Sequence, residues 1–499
     1  MTETAHRSGP AAVIVLAAGE GTRMRSKTMK VLHPICGRSM IGHVLLAALG
    51  TEPTRLVVVV GHGRDQVGPH VLEWAPDAVL AVQERQAGTG DAVRVGVDAL
   101  RVAAGTTQGT VVVVAGDTPL LEAETLAGLV GDHDGARRTV TVLTGLLDDP
   151  FGYGRIVRDD EGAVSAIVEE KDASDEQRSV REISSGVFAF DGDFLGDALT
   201  AIGTDNAKGE YYLPDVVAIA HRDGKAVGAR RIDDVVQTRG ANDRAQLAAL
   251  AAEMNRRTLD RWMRDGVTIV DPASTWIDSD VSLQADVTLL PGVQLLGATT
   301  VAEDAVVGPD STLKDMEIGR GAKVVRTHGE LAVIGDGANV GPFSYLRPGT
   351  LLGVGGKIGA FVETKNAQIG DGAKVPHLSY VGDAEIGEGT NIGAGTIFAN
   401  YDGMNKHRTR VGSHARTASN NTFVAPVEIG DGAATGAGTV VRRDVPPGAL
   451  AVSGGPQRVI EDWARRKRPG TAQAAAAEAA QGRTSAQVAA DDTAEGQSD

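Results

Sequence analysis

The sequence has very little cysteine and few aromatic residues. Its 499 residues include one cysteine, Cys36, and only 4% of them are Phe, Trp or Tyr. A single cysteine can form neither an internal disulfide nor a thiolate cage for a metal ion. A chain that folds without disulfides suits a reducing compartment, so we expect a cytoplasmic protein.

Long hydrophobic runs and an excess of positive charge are also missing. No apolar run approaches the roughly 20 residues that span a bilayer, and the opening residues, MTETAHRSGP, lack the apolar segment of a signal peptide. The formal net charge is −16, and phosphate backbones attract surfaces of the opposite sign. We therefore expect neither a membrane nor a nucleic acid among the partners.

Glycine, by contrast, is abundant, with 64 residues, while 42% of the chain is hydrophobic. Much glycine and few aromatics favour a fold that packs small and β-branched side chains around many tight turns. A chain of 499 residues is also longer than one hydrophobic core normally supports, which predicts more than one domain.

Residues 1–241 alternate short apolar runs with amphipathic stretches. Strands that alternate with helices predict an α/β domain, in which helices cover a parallel Rossmann-like sheet. Residues 242–266 keep a helical spacing of apolar side chains and predict a linker helix. The predicted strands are Val13–Ala17, Leu56–Val60, Val111–Val114 and Thr139–Leu143.

Residues 267–456 repeat a six-residue pattern that begins with an aliphatic residue followed by Gly. This period fits neither a helix nor an ordinary strand, and it predicts a parallel β-helix whose aliphatic residues point inward. Residues 457–499 carry a basic run and then an Ala/Gln/Ser/Asp-rich tail that we predict to be disordered. The clearest copies of the repeat start at Ile334, Ile369, Ile386 and Ile429.

A first candidate site follows the strand Val13–Ala17. Gly19 and Gly21 let the backbone approach a ligand with its N–H groups, and Arg23 and Lys30 supply positive charge for a triphosphate. The segment is neither a Walker A loop nor a dinucleotide fingerprint. A plain strand-to-helix turn remains the alternative.

Asp117 follows a second buried strand, at the edge where open α/β sheets bind ligands. A helix-capping role is the alternative for this carboxylate. Further polar residues cluster in irregular stretches of the hexapeptide region, among them His377, Arg347, Lys365 and Lys406. These supply a base and phosphate-binding charge, although an isolated histidine on a β-helix is usually structural.

At this point the sequence resembles the sugar-1-phosphate nucleotidyltransferases, whose signature Leu-Ala-Ala-Gly-x-Gly-Thr-Arg-Met and following lysine match Leu16 to Met24 and Lys30. Together with the hexapeptide region, residues 11–468 are similar to the family of bifunctional N-acetylglucosamine-1-phosphate uridyltransferases and glucosamine-1-phosphate N-acetyltransferases. The resemblance implies a left-handed β-helix, a homotrimer, Mg²⁺ as cofactor, and acetyl-CoA and UTP as co-substrates. It also implies a role in making UDP-N-acetylglucosamine for bacterial cell-wall polymers such as peptidoglycan.

In the first domain the resemblance implies that Arg23 and Lys30 are catalytic through charge and that Asp117 and Asn242 hold Mg²⁺. Gln83, Gly88 and Thr89 would read uracil, and Gly154, Glu169 and Ser184 would lie at the sugar. The implied contacts of UTP and its product are Leu16, Ala17, Ala18, Gly19, Gly21, Lys30, Gln83, Gly88, Thr89, Gly154, Glu169, Ser184 and Asn242.

In the β-helix the resemblance assigns His377 as the base that deprotonates the amine of glucosamine-1-phosphate, oriented by Glu363. The implied contacts of glucosamine-1-phosphate are Arg347, Lys365, Tyr380, Asn391 and Lys406. Those of acetyl-CoA are Ala394, Asn400, Tyr401, Ser419 and Ala437.

Four positions depart from the family pattern: Asp91 stands where histidine is common, Ser184 where asparagine contacts the sugar, Met29 where proline is usual before Lys30, and Gly454 where relatives often carry arginine. Two other functions remain open from the sequence. One is a sugar-1-phosphate nucleotidyltransferase whose β-helix is only structural or regulatory. The other is a scaffold that binds sugar nucleotides without catalysis.

Overall fold

The N-terminal region folds as a sheet with helices on both faces, in a computed structural model that describes residues 9–455 and 457–482. Its strands are β1 (Ala12–Ala17), β2 (Pro34–Ile35), β3 (Arg38–Ser39), β4 (Arg55–Val60), β5 (Val79–Val82), β6 (Thr110–Ala115), β7 (Val140–Leu146), β8 (Arg155–Arg158), β9 (Val164–Val168), β10 (Glu182–Asp191) and β11 (Val227–Arg231). Its helices are α1 (Met40–Leu49), α2 (Arg64–Trp74), α3 (Thr89–Ala104), α4 (Ala123–Gly135), α5 (Asp175–Arg178), α6 (Gly192–Ala198) and α7 (Asp215–Arg222), with 3-10 turns at Thr22–Met24, Lys30–Leu32 and Val235–Thr238.

The strand order of this sheet is β11-β7-β10-β6-β1-β4-β5. Alternate residues of β1 enter different cores, with Ile14 on one face and Val13 and Val15 on the other. Apolar residues buried on both faces are what a sheet between two helical layers requires. The predicted α/β fold is confirmed. Three of the four predicted strands lie within β1, β4 and β6, and the fourth overlaps β7 except for its first residue, Thr139.

The sheet is mixed, which corrects the prediction of a parallel one. Strand β10 runs antiparallel to both of its neighbours, β6 and β7. Between β7 and β10 the chain forms the antiparallel pair β8–β9 and only the short helix α5. A parallel return needs a long crossover, usually a helix, and this segment does not provide one.

Strands β1 and β6 form the switch point of the sheet. The chain leaves β1 towards β4 on one side, and it later crosses back to place β6 on the other side. Loops that follow two such strands diverge and leave a crevice at the carboxyl edge of the sheet. The Gly-rich loop follows β1 and Asp117 follows β6, so both border this crevice.

A long helix, α8 (Arg244–Arg264), leads from the sheet to the β-helix. Buried Asn255 connects the two, because its amide donates to the carbonyl of Thr275 and accepts from the N–H of Ile277. Cys36 is buried against the same helix, with its Sγ 3.6 Å from the carbonyl oxygen of Ala251. The helix lies within residues 242–266, and the division of the chain into domains there remains a prediction.

The C-terminal region is a parallel β-helix, as predicted. In its first coils, strands three apart in sequence pair with one another, so β12 pairs with β15 and β15 with β18, as in a coil with three flat sides. Its strands are β12 (Thr268–Ile269), β13 (Trp276–Ile277), β14 (Ser282–Leu283), β15 (Thr288–Leu289), β16 (Gln294–Leu296), β17 (Thr300–Val301), β18 (Val306–Val307), β19 (Thr312–Lys314), β20 (Glu317–Ile318), β21 (Lys323–Val324), β22 (Thr327–Glu330), β23 (Val333–Ile334), β24 (Asn339–Val340), β25 (Ser344–Leu346), β26 (Leu351–Leu352), β27 (Lys357–Ala360), β28 (Glu363–Ile369), β29 (Lys374–His377), β30 (Tyr380–Ile386), β31 (Ile397–Ala399), β32 (Thr409–Val411), β33 (Thr422–Val424), β34 (Val427–Ile429), β35 (Ala434–Thr435), β36 (Val440–Val441) and β37 (Leu450–Ala451), with a 3-10 turn at Pro272–Ser274.

The core of the β-helix consists of the aliphatic residues that start the hexapeptides. Ile334, Ile369, Ile386 and Ile429 are all buried in one continuous cluster. Val340 and Ile358, three hexapeptides apart, lie side by side on neighbouring coils. Among the helices within the described residues, none combines the length and hydrophobicity needed to cross a bilayer.

The described part of the tail is more ordered than we predicted. Helix α9 (Trp463–Lys467) contains part of the basic run, and residues 472–482 are also helical. The second stretch is rich in alanine, the residue with the highest helix propensity, which accounts for the difference. The remainder of the predicted disordered tail lies outside the described residues.

Candidate active sites

The Gly-rich loop after β1 folds back over Lys30. Gly21 has a φ of 65°, and a Cβ built there would lie 2.4 Å from the Cβ of Lys30. Only glycine permits both the left-handed backbone and this close approach. The amide of Gln86 donates to the carbonyl of Ala18 and fixes the start of the loop. No motif around Gln86 indicated this role.

Lys30 lies between the two residues predicted to hold the metal. Its ammonium is 2.5 Å from Oδ2 of Asp117 and 3.1 Å from Oδ1 of Asn242. Asp117 stands at the end of β6, while Asn242 precedes α8, so residues far apart in sequence converge on one cation. Gly240 belongs to this packing, because a Cβ there would lie 2.9 Å from Oδ2 of Asp117. Arg23 is exposed in the 3-10 turn of the same loop.

The residues predicted to read uracil also come together. Gln83 follows β5, and Gly88 and Thr89 lie at the start of α3. The amide of Gln83 donates to Oδ2 of Asp91 at 2.8 Å and lies 3.3 Å from the carbonyl oxygen of Gly88. Asp91, which stands where the family commonly has histidine, is therefore part of this pocket.

Gly154, Glu169 and Ser184, the predicted sugar contacts, form a third group. The N–H of Ser184 donates to the carbonyl of Gly154, and a Cβ on Gly154 would lie 3.4 Å from Oε1 of Glu169. Burial raises the pKa of Glu169, and the nearby Lys208 opposes that shift. A carboxyl group in this state is suited to accept or share hydrogen bonds with sugar hydroxyls.

In the β-helix, the structure gathers the predicted phosphate-binding cations. Arg347 and Lys365 occupy equivalent positions on adjacent coils, because the residues just before them, Leu346 and Thr364, pair with each other. The neighbouring ammonium of Lys406 lowers the pKa of Lys365, and Arg347 adds to the effect. Like charges held this close are unfavourable, so such a cluster points to an anionic ligand.

His377 and three of the five predicted acetyl-CoA contacts lie along one corner of the β-helix. The N–H of Gly395 donates to the carbonyl of His377, so the segment containing Ala394 lies on the next coil. In the same way, the N–H of Asn420 donates to the carbonyl of Ala394, and the N–H of Gly438 donates to the carbonyl of Ser419. His377, Ala394, Ser419 and Ala437 therefore form a column over successive coils.

The structure pairs Glu363 with Arg347 rather than with His377. Arg347 Nη1 lies 3.0 Å from Oε1 of Glu363, and within the described residues the imidazole of His377 has no hydrogen-bond partner. The carboxylate predicted to orient the base thus pairs with an arginine that we predict to bind phosphate. The sequence does not encode this choice, since both partners lie one coil away from Glu363.

Two residues that we did not predict complete this site. Asp383 accepts from the amides of Asn366 and Asn400, and although burial works against it, these bonds and the nearby lysines lower its pKa. Gly382 is required beneath Tyr380, because a Cβ there would lie 2.4 Å from the Tyr380 hydroxyl. A Gly-Asp pair directly after Tyr380-Val was the only signal in the sequence.

The remaining predicted residues lie at the edges of the site. Tyr401 begins an exposed loop that ends at Lys406 and is closed by a backbone bridge between the two. Asn391 bridges Lys374 and Arg416 on neighbouring coils. Gly454 is exposed with a φ of 117°.

A Gly-rich loop at the switch point of an α/β sheet, joined to a cation-lined hexapeptide β-helix, defines a nucleotidyltransferase fused to a second transferase. Residues 13–178 match the family model described as a MobA-like NTP transferase domain. Three proteins called "Bifunctional protein GlmU" are similar along nearly their whole length. The one from Paenarthrobacter aurescens (strain TC1) is 58% identical over 95% of both chains.

The protein from Corynebacterium jeikeium (strain K411) is 55% identical over 94% of this chain and 96% of its own. That from Rhodococcus jostii (strain RHA1) is 58% identical over 94% of this chain and 95% of its own. A solved UDP-glucose pyrophosphorylase complexed with UDP-glucose is only distantly similar, with a TM-score of 0.40 at 14% identity over 49% of this chain and 98% of that one. The chain belongs to the family of bifunctional GlmU proteins, and it is a transferase with a uridyltransferase and an acetyltransferase activity.

Proposed function

We propose that this enzyme makes UDP-N-acetylglucosamine in two separate pockets. The β-helix transfers the acetyl group of acetyl-CoA to glucosamine-1-phosphate, and the N-terminal domain then transfers UMP from UTP to N-acetylglucosamine-1-phosphate. The observation that carries the proposal is the presence of two separate sites with cationic side chains, one where Lys30 contacts Asp117 and Asn242 and one where Lys365 contacts Lys406. Each suits a sugar phosphate.

In the N-terminal pocket the substrate supplies the nucleophile. A phosphate oxygen of N-acetylglucosamine-1-phosphate attacks the α-phosphorus of UTP, and the new P–O bond forms as the bond to pyrophosphate breaks. Arg23 and Lys30 neutralise the charge that develops on the phosphates, and the Gly-rich loop positions them. Gly154, Glu169 and Ser184 hold the sugar.

Asp117 and Asn242 are the residues that would hold Mg²⁺. A carboxylate and an amide oxygen that already converge on one cation, the Lys30 ammonium, are donors of the type this metal takes. The described residues contain no cluster of three or more His, Cys, Asp or Glu suited to a metal, which fits an ion held by few side chains and by substrate phosphates. When bound with UTP, it would offset triphosphate charge.

In the β-helix, the amine of glucosamine-1-phosphate attacks the thioester carbonyl carbon of acetyl-CoA. His377 accepts the proton that the amine loses, and the C–S bond breaks to release coenzyme A. Arg347, Lys365 and Lys406 bind the sugar phosphate, helped by Tyr380 and Asn391. The corner column of Ala394, Ser419 and Ala437 lines the path of acetyl-CoA, together with Asn400 and Tyr401.

We also propose that three copies assemble through their β-helices. Phe343 and Phe361 stack on one another with centroids 5.2 Å apart, and they continue into Leu378 along one corner. All three side chains are more than half exposed, at 53%, 58% and 61%. A column of apolar side chains on a flat-sided prism suits association with identical prisms. We also place the enzyme in the cytoplasm, because a chain with a single cysteine can form no internal disulfide and suits a reducing compartment.

One coupled assay tests the proposal. The enzyme receives glucosamine-1-phosphate, acetyl-CoA, UTP and Mg²⁺, and free thiol and pyrophosphate are followed separately. We expect thiol release first and pyrophosphate release only after acetylation. Pyrophosphate formation from added N-acetylglucosamine-1-phosphate without any thiol release from the amino sugar would instead favour a monofunctional nucleotidyltransferase. A monofunctional nucleotidyltransferase offers no explanation for the contact between Lys365 and Lys406.

A further inference from the structure

The amide of Gln83 is held in one orientation by two acceptors. Its Nε2 lies 2.8 Å from Oδ2 of Asp91 and 3.3 Å from the carbonyl oxygen of Gly88. Gln83 and Asp91 are only 5% and 8% exposed. A buried amide nitrogen between two acceptors cannot exchange places with its oxygen without losing both hydrogen bonds.

Asp91 can only accept in this arrangement. Its Oδ1 accepts from Arg94, one turn along α3, while its Oδ2 accepts from Gln83. A carboxylate paired with arginine carries no proton to donate. The NH₂ group of Gln83 must therefore face Asp91, and Oε1 is the amide atom left for a ligand. Within the described residues no donor occupies that oxygen.

A pocket that presents an acceptor discriminates between pyrimidines. N3 of uracil carries a proton and donates a hydrogen bond, whereas N3 of cytosine carries a lone pair and accepts one. We propose that Asp91 is a specificity-determining positioning residue, which locks Gln83 so that its Oε1 meets the N3–H of uracil and rejects cytosine. The inference rests on the proposed function, in which Gln83 reads the base.

Neighbouring residues hold the Asp91–Arg94 pair in place. The guanidinium of Arg94 lies 5.6 Å from the ring centre of Tyr211. The backbone of Tyr211 bonds to Ala87 and Gly90 on either side of the pocket. A histidine at position 91, common in the family, can donate or accept depending on its tautomer. An aspartate at position 91 therefore fixes the orientation of the Gln83 amide more strictly than a histidine would.

The test compares UTP with CTP in the full-length enzyme carrying Asp91→Asn. Asparagine keeps the shape but offers either an oxygen or an NH₂ group, so Gln83 can turn and present Nε2 to N3 of cytosine. We expect the ratio of kcat/KM for UTP over CTP, measured with N-acetylglucosamine-1-phosphate, to fall about tenfold, as expected when a hydrogen-bonding site loses its selectivity. Asp98→Asn is the matched control, since Asp98 lies on the same helix beside Arg101 and is exposed.

The possible outcomes separate the hypotheses. An unchanged ratio, whether both rates fall together or neither changes, overturns the positioning role. Asp91→Ala, which removes the carboxylate that holds the amide, should lower the ratio as well, and it replaces the first variant if that one fails to fold. Normal acetyl transfer by the same sample reports that the chain is intact. Failure of the unaltered enzyme to release pyrophosphate from UTP would refute the proposed function rather than this inference.

Discussion

In the N-terminal site Lys30 lies against Asp117 and Asn242, whereas in the β-helix Lys365 lies against Lys406, with Arg347 nearby. The first cation is paired directly with a carboxylate, whereas the second contacts another cation and has the carboxylate of Asp383 only nearby. Under the proposed function, the N-terminal site holds both a metal and a triphosphate, so it needs negative groups of its own. The β-helix site would receive a dianionic phosphate without a metal. The proposed function thus assigns the two sites different electrostatic means of binding phosphate.

The first prediction concerns the base, which only one of the two sites requires. His377→Asn should reduce acetyl transfer by about 10²–10⁴-fold, the usual contribution of a general base, and leave uridyl transfer unchanged. His414→Asn is the control on the same β-helix, at an exposed position whose φ of 53° asparagine tolerates. The two rates are measured separately with each substrate pair. Equal loss in both variants would contradict the assignment.

The second prediction removes the cation that is paired with a carboxylate. Lys30→Met should lower uridyl transfer by about 10²–10³-fold, because it deletes one electrostatic stabiliser of the transition state. Acetyl transfer should not change. Lys27→Met, an exposed lysine in the same loop, should leave both rates intact. Retention of pyrophosphate release by the Lys30 variant would mean that the ion pair with Asp117 is only structural.

The third prediction tests crowding in the β-helix. The pKa of Lys365 is lowered chiefly by Lys406, so Lys365 loses its charge at lower pH than an ordinary lysine. In Lys406→Gln that pKa should rise, and the alkaline fall of kcat/KM for glucosamine-1-phosphate should move to higher pH. The overall value should drop about tenfold, the cost of one charged hydrogen bond.

Because the amine of the substrate titrates identically in both enzymes, the difference between the two pH profiles reports on the Lys365–Lys406 contact. Lys323→Gln, an exposed lysine elsewhere on the β-helix, provides the matched control. Superimposable profiles for Lys406→Gln and the unaltered enzyme would show that the two ammonium groups do not interact.

The smallest effect on catalysis is expected where the two halves meet. Asn255→Ala leaves the carbonyl of Thr275 and the N–H of Ile277 without their buried partner. We expect a loss of about 1–3 kcal/mol of unfolding free energy, read from denaturant titration, with both activities retained below the transition. A selective loss of one activity would mean that the sites depend on how the halves are joined.

The sequence predicts the β-helix well because its information is local. Each hexapeptide carries its own inward aliphatic, and Ile334 or Ile369 is buried for the same reason in every coil. The Gly-rich loop was also readable, since Gly21 is required by its own backbone angle. Such features depend on a few neighbouring residues.

What the sequence did not predict depends on contacts between distant segments. Glu363 pairs with Arg347 instead of His377, and Asp383 supports Asn400 from another coil. The reversed direction of β10 likewise follows from the absence of a crossover helix rather than from its own residues. Neither the periodicity nor the composition of the sequence predicts which distant side chains pair or in which direction a strand runs.

The burial of Cys36 has a practical consequence for measurement. Burial and the nearby Asp278 raise the pKa of this thiol to about 12, so almost none of it is thiolate at neutral pH. The chain has no second cysteine. A chromogenic disulfide reagent added to the folded enzyme should therefore respond to released coenzyme A alone, and acetyl transfer can be recorded continuously without a background from the protein.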